Sequence, residues 1–305
     1  MDRLAVYRQQ VQLLVQCLPL IFQESCFALK GGTAINLFIR DLPRLSVDID
    51  LVYLPNEVRN VALDQIRAAL SRISENLTRT ITNSTVHKVF DDKSDALRLI
   101  VSRGAVRIKI ELSPVLRGTI FPTEQHDVCQ RVEDQFGFAT APLVSMADLY
   151  GGKICAALDR QHPRDFFDVK LLLENEGITD AMRKAVWVYM ISHPRPIAEL
   201  LDPHRLDMTA IYQNEFAGMT GQQVTLDELA KTRESLIAQL TQGMSEAEKM
   251  FLIAFKSGKP QWALLELDGI DQLPAVRWKQ INLDMMQPAK RAEAIDKLMH
   301  VLNRF

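Results

Sequence analysis

The chain has 305 residues, 47% of them apolar and 24% charged, with 36 Lys+Arg against 38 Asp+Glu for a formal net charge of −2. This composition excludes a disordered tail, a collagen-like repeat and a disulfide framework, and at roughly 150 residues per domain the length suggests two domains. A near-zero charge balance gives no global attraction for nucleic acid or membrane, so any phosphate-binding surface has to be local.

Residues 4–25 read as a helix with a Leu/Val stripe, and Phe27-Ala28-Leu29-Lys30 as a short strand running into Gly31-Gly32-Thr33. Thr33 suits an N-cap, with helix continuing from Ala34 to Arg40 until Pro43 breaks the pattern. Leu45 to Tyr53 alternates as a strand, placing Val47, Ile49 and Leu51 on one side and Ser46, Asp48 and Asp50 on the other. Residues 59–77 form an amphipathic helix, and Thr80–Thr82 and Val86–Phe90 are weaker strands. Leu97–Ser102 and Ala105–Leu112 flank Arg103-Gly104, which reads as a two-residue hairpin connection. From Ser145 the pattern turns to helix after helix, at about 145–160, 164–175, 179–192, 225–242, 245–256, 270–285 and 289–303. The organisation expected is a mixed α/β domain over 1–140 and a helical domain over 141–305.

Cys17, Cys26, Cys129 and Cys155 form no C-x-x-C, and the six histidines form no H-x-x-x-H, so neither zinc site nor redox pair is legible. No segment approaches ~18 uninterrupted apolar residues, and the apolar stretch Val11–Phe22 is broken by Gln12, Gln16 and Pro19. A soluble cytoplasmic protein with reduced thiols, and no membrane partner, is the expectation.

Asp48 and Asp50 project from one side of a strand, aiming two carboxylates at one point. Their mutual repulsion is relieved by a divalent cation such as Mg²⁺, which takes one or two carboxylates and completes its shell with water and substrate phosphates. A bare Asp-x-Asp also fits a solvated edge strand. Val106-Arg107-Ile108-Lys109-Ile110-Glu111 alternates likewise, and a strand there beside the first would bring Glu111 to the pair. Gly31-Gly32-Thr33 is a candidate anion turn, although a Gly-Gly-Thr is as readily structural and matches neither a P-loop nor a dinucleotide fingerprint. Lys153 falls on the apolar stripe of its helix, seven residues after Met146 and four after Leu149, where its ammonium needs a partner; a triphosphate would serve, or the head snorkels at the stripe's edge. Asp165 and Asp168 share a helix face, and one of them has a structural role open to it, paired with Arg160 or Arg164. Arg98, Arg103, Arg107, Lys109 and Arg117 form a basic stretch able to receive an RNA backbone, or simply a solvated sheet face.

Leu29-Lys30-Gly31-Gly32-Thr33-Ala34, followed by Arg44-x-Ser46-x-Asp48-Ile49-Asp50-Leu51, resembles the signature of the AbiEii/AbiGii toxin family, nucleotidyltransferases of the DNA polymerase β-like superfamily. The resemblance extends through Ile108–Glu111, then Asp148-Leu149-Tyr150-x-x-Lys153, and Arg160 to Asp168, covering about residues 25–175. It implies an α+β fold: a polymerase β-like domain with a mixed sheet, followed by a mainly α-helical domain contributing Lys153 and Asp168 to the site. The implied activity is that of a Mg²⁺- or Mn²⁺-dependent toxin of a toxin–antitoxin or phage-abortive system, moving a nucleoside monophosphate from an NTP to an acceptor hydroxyl. RNA, and the tRNA 3′ end in particular, is the acceptor implied, with a cognate antitoxin protein as a further partner. Asp48, Asp50 and Glu111 would be the metal ligands. Lys30, Gly31, Gly32, Thr33, Arg44 and Ser46 would bind nucleotide, and Lys153 and Asp168 complete the catalytic set. A protein nucleotidylyltransferase and a noncatalytic interaction protein with a vestigial site are the competing readings.

Overall fold

The computed structural model describes residues 3–91 and 96–304. They fall into two compact units, one made of Met1–Ser145 with Ala217–Gln223, the other of Met146–Phe216 with Val224–Phe305.

The first unit opens with α1 (Arg3–Ile21), β1 (Phe27–Lys30) and a helical turn α2 (Gly31–Ala34) that widens into a π turn over Ile35–Ile39. It continues through β2 (Asp48–Tyr53), α3 (Arg59–Thr80), β3 (Ser84–Asp91), β4 (Ala96–Arg103), β5 (Val106–Leu112), β6 (Glu124–Asp127), α4 (Gln130–Phe136) and β7 (Thr140–Leu143). The strands form one mixed sheet in the order β3-β4-β5-β2-β1-β7-β6. Within it β2 runs antiparallel to β1 and parallel to β5, so its alternation is read against both neighbours. Ile49, Leu51, Ile108 and Ile110 are buried on one face, where α1 packs on β5 and β7 and α3 on β3 and β4. Burying these side chains is worth roughly 1.5–3 kcal/mol each, which fixes the register and leaves Asp48, Asp50 and Glu111 on the other face.

Several elements depart from the sequence expectation. Lys30, not Thr33, occupies the N-cap of α2. Residues 45–47 stay out of the sheet: the Leu45 amide donates to the Met219 carbonyl (2.7 Å), Arg44 bridges to Thr220, and the Thr220 hydroxyl donates to the Pro43 carbonyl (2.8 Å). Thr80 ends α3 instead of opening a strand. The hairpin connection is Gly104-Ala105, because Arg103 still pairs with Val106, and Gly104 supplies the left-handed φ of 60°. Arg117 leaves the basic surface entirely: it is buried and donates to the Glu57 carbonyl (3.3 Å).

The second unit is helical: α5 (Met146–Arg160), α6 (Pro163–Asn175), α7 (Asp180–Ser192), α8 (Ile197–Leu201), α9 (Thr209–Ile211), α10 (Leu226–Gln242), α11 (Glu246–Lys256), α12 (Pro274–Asp284) and α13 (Pro288–Leu302). Capping boxes start α10, where Thr225 and Glu228 exchange bonds, and α11, where Ser245 and Glu248 do the same. The stretch 270–285 divides because Pro274 takes the first position of α12 and pushes Leu273 into an extended conformation. No helix among the described residues is long and apolar enough to cross a membrane.

The four cysteines are free. Burial pushes the Cys17 thiol up to about 12 and the Cys26 thiol up to about 11, and raises Cys129 and Cys155 as well. The thiolate is the reactive form, so Ellman's reagent at pH 8 is expected to modify the native chain on the order of 100-fold more slowly than the guanidinium-unfolded chain. Rapid labelling of the native protein would contradict this burial.

Candidate active site

The polar face of the sheet carries a row of alternating origin. Asp50 on β2 stands in register with Lys30 on β1 and with Glu111 on β5, while Glu111 stands opposite Arg98 on β4. The row therefore reads Arg98–Glu111–Asp50–Lys30, two carboxylates in the middle and a cation at either end. Asp48 lies two residues along β2, opposite Lys109. Carboxylates directly opposed on neighbouring strands repel each other. Part of that repulsion is relieved at the ends. Arg98 Nη1 lies 3.5 Å from Glu111 Oε1, and Asp50 works against the fall in the Lys30 pKa that burial imposes. The Arg98–Glu111 pair is 41% and 38% exposed, so it is worth at most ~1 kcal/mol and yields readily to a stronger ligand.

The Gly-Gly turn is built against this row. Gly31 adopts φ +75° with its α-carbon against the Asp50 carboxylate, and a Cβ there would collide with Asp50 Oδ2. Gly32 lies beneath the Arg44 guanidinium and the Ser46 hydroxyl, which stand 2.8 and 3.0 Å from where its Cβ would be. Thr33 is fully buried and its hydroxyl donates to the Asp48 carbonyl (2.5 Å), with Ser46 Oγ 3.1 Å away. Its hydroxyl thus holds the acidic strand to the turn, and contact with a phosphate from this segment falls to backbone amides. Lys30, Gly31, Gly32, Thr33, Arg44, Ser46, Asp48 and Asp50 form one connected group. Gly31→Ala combines left-handed strain of roughly 1–2 kcal/mol with displacement of Asp50, and is expected to slow any reaction that runs on this carboxylate row about 100-fold. A variant with wild-type turnover would show that the close approach is dispensable.

In the helical unit Lys153 is buried between two carboxylates, 2.8 Å from Asp165 Oδ1 and 3.0 Å from Asp168 Oδ2. Arg160 clasps Asp165 from the other side through Nε (2.6 Å) and Nη2 (2.9 Å). Burial alone would raise the Asp165 pKa, but Lys153 and Arg160 overcome it and hold the carboxyl well below the usual range. Arg164 turns elsewhere, with Nη2 3.6 Å from Glu215. The charge on the apolar stripe of α5 thus finds its partners within the unit. Gly151, one turn from Asp148, admits α7 closely, since a Cβ would sit 3.0 Å from that of Ala185, and the Tyr189 hydroxyl donates to Asp148 Oδ1 (3.1 Å).

Among the described residues no group of three or more His, Cys, Asp or Glu side chains is placed to hold a metal ion as it stands. The donor set nevertheless fits a hard divalent cation: Asp48 and Asp50 share one strand face, Asp50 and Glu111 are opposed at register, and carboxylate oxygens are the ligands Mg²⁺ prefers. The position of Arg98 opposite Glu111 was hidden from the sequence by the hairpin turn, since a connection at Arg103-Gly104 would set Arg98 opposite Lys109.

A mixed sheet presenting Asp-x-Asp against a Gly-Gly turn, followed in the chain by a helical unit, is the arrangement that the comparisons with known proteins assign to a nucleotidyltransferase family. The chain belongs to the AbiEii nucleotidyltransferase toxin family: the family model described as nucleotidyl transferase AbiEii toxin, type IV toxin–antitoxin system, matches residues 12–279. Among solved structures it is similar to MenT4, a nucleotidyltransferase toxin from Mycobacterium tuberculosis H37Rv, with a TM-score of 0.57 and 16% identity over 96% of this chain and 92% of that one. Terminal uridylyl transferase 4 from Trypanosoma brucei with bound GTP matches at a TM-score of 0.30 and 12% identity, over 99% of this chain and 98% of that chain. No curated protein sequence matches the chain.

Proposed function

We propose that this toxin transfers a nucleoside monophosphate from an NTP to the 3′ hydroxyl of an RNA, with tRNA the favoured acceptor, and releases pyrophosphate. The observation that carries the reading is the register of Asp50 against Glu111 with Gly31 pressed on the Asp50 carboxylate, which places acidic oxygens beside a backbone turn able to receive phosphate. Asp48 and Asp50 would hold Mg²⁺ or Mn²⁺, joined by Glu111 once it leaves Arg98. A bound divalent ion supplies neutralisation of the phosphates and of the leaving pyrophosphate. Backbone amides of the Gly31–Thr33 turn bind the phosphate tail, Arg44 and Ser46 hold the turn in place, and Glu111 accepts the proton of the attacking hydroxyl. Lys109, opposite Asp48, and Arg107 are exposed on the same face and offer cationic contacts to an acceptor backbone. A protein partner acting as antitoxin belongs to the same reading.

The test supplies the purified chain with each α-labelled NTP in turn, with total RNA and with total protein, and sequences the RNA 3′ ends. New terminal nucleotides on one RNA class, dependent on divalent metal, are expected. Label confined to protein would replace the reading with protein nucleotidylylation. No label anywhere, with no Mg²⁺-dependent NTP binding by calorimetry, would leave the carboxylate row without a catalytic role.

A further inference from the structure

The helical unit holds a second group of charged side chains that the proposed transfer reaction does not use. Lys256 ends α11, is 8% exposed, and makes no hydrogen bond or ion pair with any described residue. The carbonyls of the last turn of α11 do not need it. Those of Ile253, Ala254 and Phe255 already accept the amides of Ser257, Lys259 and Gly258 at 2.9–3.0 Å.

Two further cations gather at the same end of the helix. Lys279 on α12 points Nζ at the carbonyls of His193 (2.5 Å) and Pro194 (3.3 Å), just past α7. Arg291 on α13 reaches the Ser257 carbonyl through Nη1 (3.5 Å) and the Leu283 carbonyl through Nη2, while its Nε is buried without a partner. Ser257 follows Lys256 directly, which sets the Arg291 guanidinium beside the end of α11, and Lys256 is near enough to Lys279 to act on it electrostatically. Gly258, with φ +80°, keeps the space open, since a Cβ there would stand 3.0 Å from Arg291 Nη1.

Counter-charge is missing. None of the three cations forms an ion pair among the described residues. The neighbouring Asp159 is held by Arg195 (2.5 Å) and His193 (3.6 Å), and Asp284 is exposed, with Oδ1 3.7 Å from that same Cβ position. Burial, with help from Lys256, pulls the Lys279 pKa down to about 8, and burial lowers Lys256 too. Lys256 Nζ is without a partner, though not sealed from solvent, and holding its charge in so apolar a setting is costly; removing the charge or supplying an anion are the two remedies.

We propose that Lys256, Lys279 and Arg291 form a binding site for a phosphate group, built on α11, α12 and α13 and formed by residues outside the acidic row. Lys256 is the donor with nothing else to bind, and Arg291 Nη1, held only by a long 3.5 Å contact with the Ser257 carbonyl, is the second. Phosphate is the anion of choice because its several oxygens accept from separate donors at once through charge-assisted bonds. The phosphate is either free or part of a polynucleotide backbone.

The test uses the full chain, titrated with inorganic phosphate by calorimetry and thermal unfolding at an ionic strength held constant with NaCl. Lys256→Met keeps the apolar stem and removes the charge, so it is expected to fold with an unchanged or higher Tm in phosphate-free buffer. Phosphate should raise the wild-type Tm, and its Kd should weaken at least about 10-fold in Lys256→Met and in Arg291→Gln, as loss of one charge-assisted bond predicts. Any phosphate bound at the sheet contributes equally to all three proteins and cancels. An equal phosphate response in wild type and both variants, or a chloride response as large as that of phosphate, overturns the site. A parallel arm with a single-stranded oligoribonucleotide separates the sources: affinity that falls in Lys256→Met marks a nucleic-acid backbone, and unchanged affinity beside a weakened phosphate Kd marks a free phosphate.

Discussion

Asp48→Ala is expected to lower transfer of label from α-³²P-NTP by on the order of 10³-fold while leaving the folded state intact. The substitution keeps the backbone carbonyl that accepts from Thr33, so the turn remains tied to β2. It also takes one negative charge out of a face on which Asp50 and Glu111 already repel each other, so the urea midpoint should hold or rise. Asp48 is half-buried at the start of β2. Full transfer by a folded Asp48→Ala protein would remove the acidic row from the reaction.

Replacing Lys153 with methionine should have the largest effect on stability, a loss of about 3–5 kcal/mol, because it removes the ammonium from between two buried carboxylates. Arg160 still clasps Asp165, but Asp168 loses the ammonium at 3.0 Å. The pH dependence follows from the direction of the Asp165 shift. A carboxyl held below its unfolded value contributes stability that is present above that value and disappears as pH falls through the folded one. Without Lys153 the depression shrinks, so the deficit relative to wild type should be greatest near pH 7 and should narrow below about pH 4, where the carboxylates protonate and need no counter-ion. Denaturant unfolding at pH 7 and pH 3 measures this, and a pH-independent deficit would show that packing, not charge, is what the lysine contributes.

The parts of this fold legible in the sequence are those set by local period. The alternation in Asp48–Leu51 and in Val106–Glu111 places the acidic side chains on one face and the isoleucines on the other, and both strands form that way. The face assignment of β4 and β5 survives a misplaced turn because the register moves by two residues, which preserves the side of the sheet. What moves is the partner, and with it the Arg98–Glu111 pair. β6, reading EQHD, carries no apolar alternation, and β7, reading TAPL, is too short for its alternation to stand out; they are recruited by pairing with each other and, for β7, with β1. The widening of α2 into a π turn and the engagement of the Thr33 hydroxyl by Asp48 are tertiary events without a local signal. Lys153 shows the division plainly. Its place on an apolar stripe demands a partner, while the choice of Asp165 and Asp168 depends on how α5 and α6 pack.

The short return of Ala217–Gln223 makes the segment around Arg44, and with it the Gly31–Thr33 turn, dependent on sequence far downstream. Met219 and Thr220 satisfy Leu45 and Pro43 on either side of Arg44. A fragment ending at residue 145 would therefore keep every acidic residue of the sheet and lose the splint beneath Arg44. A protease nick within 217–223 would disarm the toxin without touching a single carboxylate, and adding the excised peptide back offers a way to switch it on again.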